Sequence, residues 1–367
     1  MTPLLRGWCP DLFAPMQSGD GWLVRVKPRL GRIAAAEGLL IADWARRFGN
    51  GVIELTGRGN LQLRGLTLKS AEAVARAAVA AGLASADPAV ERRRNILLSP
   101  LAGQGTCALA CALECGLAAD GSLAALPGKF SFGVDGSGLG LGGVAADIVL
   151  RADGDGWRVG EDRHAADDAP AAALLLARNW RDLPRRAASG SAPMAVGWLP
   201  AWRAFGFGVR FGQFDAAVLE RLCGSSCAHG DGILHLTPWR VVLLSGVAQA
   251  NVAGLAEAAG SLITQPDDPR RLVSACVGRV GCPQGSVDSR GDALALLAAG
   301  VSVDSLHVSG CAKGCAHPSP AAVTLVGSGG RYGLVRQGRA GDTPQSDGHT
   351  VADLARLLVA GGRAGGR

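Results

Sequence analysis

Apolar positions along this chain switch between a two-residue and a 3.6-residue period, and the order of the switches occurs twice. Residues 22–26 alternate as a strand, and residues 35–48 carry Leu40, Trp44 and Phe48 on one helical stripe. Residues 51–56 and 60–64 alternate again and predict two strands joined by a tight Gly57-Arg58-Gly59 turn. An alanine-rich run over residues 70–83, with Glu72 in its first turn, predicts a second helix. The series returns as strand 207–211, helix 215–222, strands 232–237 and 240–244, and helix 248–259. With Gly51 laid on Gly232, Leu55 falls on Leu236, Thr56 on Thr237, Leu63 on Leu244 and Gly65 on Gly246. A repeat of so long a period marks a duplication. Each βαββα unit is a ferredoxin-like half that cannot cover its own sheet, so two should pair.

The blocks after each half also match. Residues 94–100 and 271–276 occupy equivalent places, as do 129–135 and 306–311. Each is followed by an apolar strand, 146–150 or 322–326, and a glycine-rich hairpin. The expected fold class is α+β and pseudo-twofold: duplicated βαββα ferredoxin-like halves at 1–85 and 190–262, plus two α/β subdomains at 86–185 and 263–367. Residues 182–191, with proline and arginine, read as the linker between halves. A pseudo-twofold protein is expected to bind its ligand where the halves meet, with the two sides specialised.

At 367 residues, 48% hydrophobic and 19% charged, the chain can bury a large core and is not disordered. No apolar run approaches ~18 residues, so no membrane span is expected. Residues 1–10 lack the apolar stretch of a secretory signal. Ten cysteines without export point to a reducing cytoplasm and to cofactor use over disulfides. The net charge of +6 permits an anionic ligand but, with abundant Arg, Ala and Gly, gives no reason to expect a nucleic acid.

Chemistry concentrates in four cysteines. Cys276 and Cys282 stand six apart, and Cys311 and Cys315 four apart, among glycine, alanine and serine. Four thiolates are what a [4Fe–4S] cluster requires. Small neighbours let the backbone close around an inorganic core and aim N–H groups at its sulfurs. Four buried free thiols are the plainer alternative. Other patterns carry less. Cys107, Cys111 and Cys115 follow one helix face over about 12 Å, too spread for one cluster, and read as core thiols. Cys223, Cys227 and His229 resemble a metal clip, placed in a helix-to-strand connection whose partner stretch lacks thiols. Gly138, Gly140 and Gly143 fit a dinucleotide fingerprint, but residues 144–150 read as a strand where that fingerprint needs a helix.

These motifs together resemble the siroheme-type sulfite and nitrite reductase superfamily, and within it the precorrin-3B synthase branch. The resemblance covers nearly the whole chain. It is carried by Cys9 to Gly21, Arg25-Val26-Lys27, Leu55 to Gly65, Arg94-Asn95, residues 126–130, Thr237 to Arg240 and both cysteine clips. The stretch around Cys311, Cys315 and His317 is closer to the synthase branch than to the reductases. The resemblance implies a tetrapyrrole-binding subdomain at 86–185 and a cluster-binding one at 263–367. Cys315 matches the cysteine that bridges cluster and siroheme in the reductases. Arg25, Arg94 and Lys129 match basic residues that hold tetrapyrrole carboxylates or a small anion. Ser131 stands where the reductases have a second lysine, which weakens the sulfite reading.

In the synthase branch the tetrapyrrole is substrate, not cofactor. A polycarboxylate macrocycle asks for a partly apolar slot rimmed by arginine, for which Arg25, Lys27, Arg29, Arg58, Arg64, Arg92, Arg93, Arg94 and Lys129 are available. The implied reaction is monooxygenation of precorrin-3A by O2 at C20, with a ring A acetate closing a lactone on C1. A four-thiolate cluster moves single electrons, so the resemblance implies a second centre, a mononuclear non-haem iron. His307 and His317 lie nearest the clips in sequence. A separate NADH-dependent protein would supply electrons. Siroheme-dependent sulfite or nitrite reduction, and a non-catalytic tetrapyrrole or cluster carrier, are the other readings.

Overall fold

The computed structural model describes residues 10–184, 188 and 190–364, with side chains to Ala360. The segment read for a targeting signal, Cys9 and part of the 182–191 linker lie outside the described residues. The chain divides into two compact units: Trp22–Thr264 with the segment ending at Met16, and Gln265–Arg367 with Gln17–Gly21.

The first unit contains both halves. Gly21–Val26, helix Ala35–Phe48, Val52–Leu55, Leu61–Leu66 and helix Leu68–Ala80 form one; Ala204–Gly208, helix Ala216–His229, Ile233–Leu236, Val241–Leu244 and helix Val252–Glu257 form the other. Helices Ala35–Phe48 and Ala216–His229, and strands Val52–Leu55 and Ile233–Leu236, begin and end at equivalent residues, and the order of elements is the same throughout, so the duplication read from the pattern is real in three dimensions. Helix 215–222 runs seven residues further than expected, to His229, and helix 248–259 shrinks to one 3-10 turn and Val252–Glu257.

One feature departs from the periodicity. Residues 207–211 do not form a strand; the strand is Ala204–Gly208, and Arg210–Gly212 is a tight turn with Phe211 at φ 56° and Gly212 at 69°. Leu30 and Gly31 repeat it at 53° and 67°. Left-handed backbone cannot continue a strand. Each turn throws a short strand across to the other half: Gln213–Asp215 pairs antiparallel with Val52–Leu55, and Arg32–Ala34 with Ile233–Leu236. The exchange is locked reciprocally, Ala35 N–H donating to Gly232 O (2.8 Å) and Ala216 N–H to Gly51 O (3.0 Å).

Because each sheet is completed by the opposite half, the two share one core. It joins Ile41, Trp44, Ile53 and Leu63 to Phe207, Leu219, Leu234 and Leu244, all nearly inaccessible to water. Helices Ala35–Phe48 and Ala216–His229 pack on each other, with Gly38 over the Cys223 thiol, where a Cβ would overlap Sγ. Cys223 is thus inside a helix, not in the connection after it. It is a core side chain whose thiol burial pushes up to about 12.

Both α/β blocks have the same topology. Ile96–Leu98, Phe132–Asp135 and Ile148–Asp153 run parallel, then Gly156–Val159 and Asp162–His164 fold back antiparallel. In the second unit Val273–Ala275, Leu306–Ser309 and Ala321–Ser328 are parallel, followed by Arg331–Gly338 and Ser346–His349. The apolar strand expected at 146–150 is displaced to Ile148–Asp153, and a loop, not a helix, follows Gly143. The dinucleotide reading fails for that reason. Cys107, Cys111 and Cys115 are not core thiols: helix Gln104–Ala119 buries Leu109, Ala110, Leu113 and Leu117, leaving two thiols half-buried and Cys115 exposed.

Candidate functional site

Two groups of polar side chains stand out, one in each unit. In the first unit, strand alternation puts Arg25 and, just past the strand end, Lys27 on one side of their sheet. Gln62 and Arg64 share a side of Leu61–Leu66 by the same rule. Register then sets Arg25 opposite Gln62, Gln62 opposite Glu54 and Glu54 opposite Gln213. The side chains join: Arg25 Nη2 donates to Gln62 Oε1 (3.2 Å), Gln62 Nε2 to Glu54 Oε2 (2.7 Å) and Arg64 Nη1 to the same oxygen (3.1 Å). In the other half the equivalent positions are Gly206, Leu243, His235 and Ser245. There His235 Nε2 meets Ser245 Oγ at 2.9 Å, and burial, then Arg32, pulls the imidazole down to about 4. Only the first half keeps cations in this row.

A second network adjoins it. Lys27 is 5% exposed and its Nζ donates to the carbonyls of Glu91 (2.8 Å) and Arg92 (3.0 Å). Burial lowers the ammonium from 10.5 to about 8, with Glu91 opposing and Arg94 reinforcing the change. Arg94 donates from Nε and Nη2 to the two oxygens of Glu91 (2.9 Å each), from Nη1 to Glu114 (3.5 Å), and from Nη2 to the carbonyls of Lys27 (2.7 Å) and Leu83 (3.2 Å). Arg58 Nη2 donates to Lys129 O (2.9 Å).

All six predicted ligand residues, Arg25, Lys27, Arg58, Arg64, Arg94 and Lys129, therefore fall in the same region of one unit. They differ in what they have left to offer. Arg64 and Arg94 are spent on Glu54, Glu91 and Glu114, and Lys27 on two carbonyls. Among the described residues, the Arg25 guanidinium is hydrogen-bonded to the neutral Gln62 amide alone, and its buried Nε has no hydrogen-bond partner. Arg92 and Arg93 do not belong to the rim: Arg92 caps Ala124 O, and Arg93 donates to Leu117 O and Ala118 O at the end of helix Gln104–Ala119. Arg29 pairs with Glu114.

The space among Lys27, Arg58, Asn60, Arg94 and Glu114 is only about 20 Å³, room for roughly one water. Beside Lys129, a cleft of about 460 Å³ is walled by Pro127, Phe130, Trp180 and Leu183. Ser131, fully buried, donates N–H and O–H to Asp147 Oδ2 (2.8 and 3.1 Å). The acidic partners Glu54, Glu91 and Glu114 were not anticipated. Asp87-Pro88 as a helix start, with Glu91 three residues before Arg94, is the signal that could have found one pair.

In the second unit, Cys276 follows strand Val273–Ala275, and Cys311 follows Leu306–Ser309 at a remove of two residues. Adjacent parallel strands end on the same side of their sheet, so topology brings the two clips together. Cys315 senses all three others: partial burial first, then Cys311, Cys276 and Cys282, push its thiol up, against Lys313. Gly310 N–H donates to Cys276 Sγ (3.0 Å), and the Ser289 hydroxyl lies 3.5 Å from the same sulfur. The backbones are too close for side chains: a Cβ on Gly310 would stand 3.1 Å from Gly278 Cα and 3.2 Å from Gly285 Cα. Gly19 N–H and the Ser18 hydroxyl donate to Gly281 O, beside Cys282. His307 is buried under Gly314, its ring 5.7 Å from that of His317.

Among the described residues, no three or more His, Cys, Asp or Glu side chains are closed around a single ion. A cube of four irons is larger than an ion, with one thiolate on each corner iron. Four thiols on two clips that the sheet brings together, a backbone N–H already on one sulfur and a glycine-lined cradle fit such a group. Nothing comparable supports an iron held by His307 and His317.

Similarity to known proteins follows the same division. A family model described as the nitrite/sulfite reductase ferredoxin-like half domain matches residues 14–81 and again 202–262. A ferredoxin–nitrite reductase of Leptolyngbya laminosa is 32% identical over 97 residues, 26% of this chain and 19% of that protein. The structure of the Mycobacterium tuberculosis NirA protein superposes with a TM-score of 0.66 at 16% identity, over 91% of this chain and 79% of that one, which shows a common fold. A precorrin-3B synthase from a Sinorhizobium species is 33% identical over a 420-position alignment that takes in 98% of this chain and 90% of its relative. No helix among the described residues is long and apolar enough to cross a membrane. With nearly its whole length aligned to that synthase, and its two halves matching the half-domain model in turn, this chain belongs to the precorrin-3B synthase family.

Proposed function

We propose that the protein acts as a precorrin-3B synthase, an oxidoreductase that takes precorrin-3A and dioxygen to the hydroxylated lactone. Each turnover consumes two electrons and two protons; one oxygen atom enters the macrocycle and the other leaves as water. Cys276, Cys282, Cys311 and Cys315 hold a [4Fe–4S] cluster, which supplies single electrons when bound. A separate NADH-dependent protein feeds it, since the glycines at 138–143 lead into a loop and a strand where a dinucleotide fingerprint needs a helix.

The chain's own residues bind and orient the macrocycle. Arg25 takes a substrate carboxylate, because among the described residues its guanidinium is hydrogen-bonded to the Gln62 amide alone and retains an unsatisfied buried N–H. Buried donors without partners cost about 1–3 kcal/mol, which an anionic ligand would relieve. Lys129 and Arg58 supply further positive charge beside the apolar walls of Phe130 and Trp180. Lys27, Arg64 and Arg94 belong to the same substrate region and keep this surface in place through their internal partners.

The single observation that carries the synthase reading over a siroheme reductase is Ser131. A buried hydroxyl bonded to Asp147 cannot replace the charge of a lysine on sulfite or nitrite. Purified protein should show the broad absorption of a cluster without the red bands of siroheme, and should convert precorrin-3A only under oxygen with reductant. Siroheme bands together with sulfite or nitrite reduction would establish the reductase instead. A cluster without conversion would leave a carrier.

A further inference from the structure

Cys276 differs from the other three thiols. Among the described residues its sulfur alone of the four is hydrogen-bonded: it accepts from Gly310 N–H at 3.0 Å and, as a free thiol, donates to Ser289 Oγ at 3.5 Å. A thiolate bound to iron has no proton to give, so with the cluster in place this contact has the hydroxyl as its donor. Ser289 is fully buried, and among the described residues its hydroxyl has no other hydrogen-bond partner. It sits at the first position of helix Ser289–Ala298, behind the capping residue Asp288, whose carboxylate accepts from Gly291 N–H. That helix is pinned. The Tyr332 hydroxyl, buried on strand Arg331–Gly338, donates to Asp292 Oδ2 at 2.6 Å. The Cα atoms of Gly278 and Gly310 press against Ser289 from the loop side, since a Cβ on either would come within 2.9 and 3.2 Å of its hydroxyl.

A hydroxyl with no other partner, held at a helix N-terminus against a ligand sulfur, acts on the charge of that sulfur. Donors directed at a cluster's thiolates favour its more negative, reduced state and raise its potential. The positive end of the helix dipole adds in the same sense. We propose that Ser289 is a positioning residue that tunes the reduction potential of the cluster through Cys276, with Gly310 N–H as the second donor. This rests on the four-cysteine cluster proposed above. A hydrogen bond to a charged group is worth about 1.5–3 kcal/mol. Only the part that differs between oxidation states counts here, so removing it should change the reduced-to-oxidised ratio at fixed potential by about three- to tenfold. Tenfold corresponds to 59 mV for one electron.

The test is an EPR-monitored potentiometric titration of the reconstituted full-length protein, with iron and sulfide measured on each sample. Ser289→Ala should keep the cluster and lower its midpoint. Ser289→Thr, which keeps the hydroxyl, should stay near wild type. Ser286→Ala should leave the potential alone, because that hydroxyl reaches Gly310 O and not a sulfur. An unchanged midpoint in Ser289→Ala at full iron content overturns the inference, as does an equal change in Ser286→Ala. Should the alanine variant lose its cluster, a threonine variant with wild-type content and potential supports the hydroxyl's role; loss in both makes Ser289 merely structural and refutes it. Absence of iron and sulfide from wild-type protein would instead bring down the cluster assignment itself.

Discussion

Glu91 offers a quantitative test of how the substrate region is built. Its side chain is inaccessible to water and takes both Nε and Nη2 of Arg94 at 2.9 Å, along with Ser85 N–H at 3.1 Å. Replacing it leaves a guanidinium that is only 12% exposed. Removing one partner of a buried pair costs about 3–5 kcal/mol, because the remaining charge is neither solvated nor paired. Glu114, at 3.5 Å, retains part of the compensation. Glu91→Gln, which keeps an acceptor, should therefore lose about 3 kcal/mol, and Glu91→Ala somewhat more. Urea unfolding followed by far-UV circular dichroism reads this directly, and the thermal midpoint should fall by roughly 6–12 °C. The absorption of the proposed cluster should persist, since Cys276, Cys282, Cys311 and Cys315 lie in the other unit. The decisive comparison is the double variant Glu91→Gln/Arg94→Met. With both charges gone, it should be more stable than Glu91→Gln alone. If the two substitutions simply add, or if Glu91→Gln costs under about 1 kcal/mol, Arg94 is not held by Glu91 and its assignment to the internal framework is wrong.

Three other outcomes follow from the same geometry. Lys27 has its folded-state pKa lowered from 10.5 to about 8 by burial. Its charge is a burden on the folded state that is fully present below about pH 8. The unfolded chain holds the proton up to its ordinary value, so stability should rise between about pH 8 and 10.5, by roughly 3 kcal/mol at 1.36 kcal/mol per pH unit. Comparing pH-dependent unfolding of wild type and Lys27→Met checks this; an identical slope in that window would refute it. Gly212→Ala should cost roughly 3 kcal/mol, from a left-handed φ of 69° and a Cβ placed 2.6 Å from Leu55 O. Gly51→Ala, at φ 81° with no atom within 4 Å, should cost only about 1–2 kcal/mol; equal denaturation midpoints for the two would contradict strand exchange as a tight fit. Arg25→Ala should weaken tetrapyrrole binding by about 10- to 100-fold, the loss of one charge-assisted pair, with little change in stability. Fluorescence-quenching titration with a polycarboxylate porphyrin measures it, and undiminished affinity would free Arg25 from the substrate site.

Much of this molecule is legible along the chain because its signals are local. The helix at 35–48 announces itself by its period, although the buried face runs through Ile41, Ala42, Trp44 and Ala45 and leaves Leu40 of the expected stripe exposed; the duplication shows in leucines and glycines at matching places. The cysteine clips are short-range too: small residues around Cys276 and Cys311 are needed wherever backbones close in. Tertiary structure decided what spacing does not encode. Phe207 to Phe211 alternate like a strand, yet the positive φ at Phe211 turns the chain so that residues 213–215 complete the opposite sheet. Cys107, Cys111 and Cys115 look apolar in an Ala/Leu helix, but the buried stripe is the adjacent one. Above all, nine basic residues read alike in sequence. Glu91 stands only three residues from Arg94, but folding alone brings Glu54 against Arg64 and Glu114 against Arg29 and Arg94, because a charge's availability depends on partners apart along the chain and near in space.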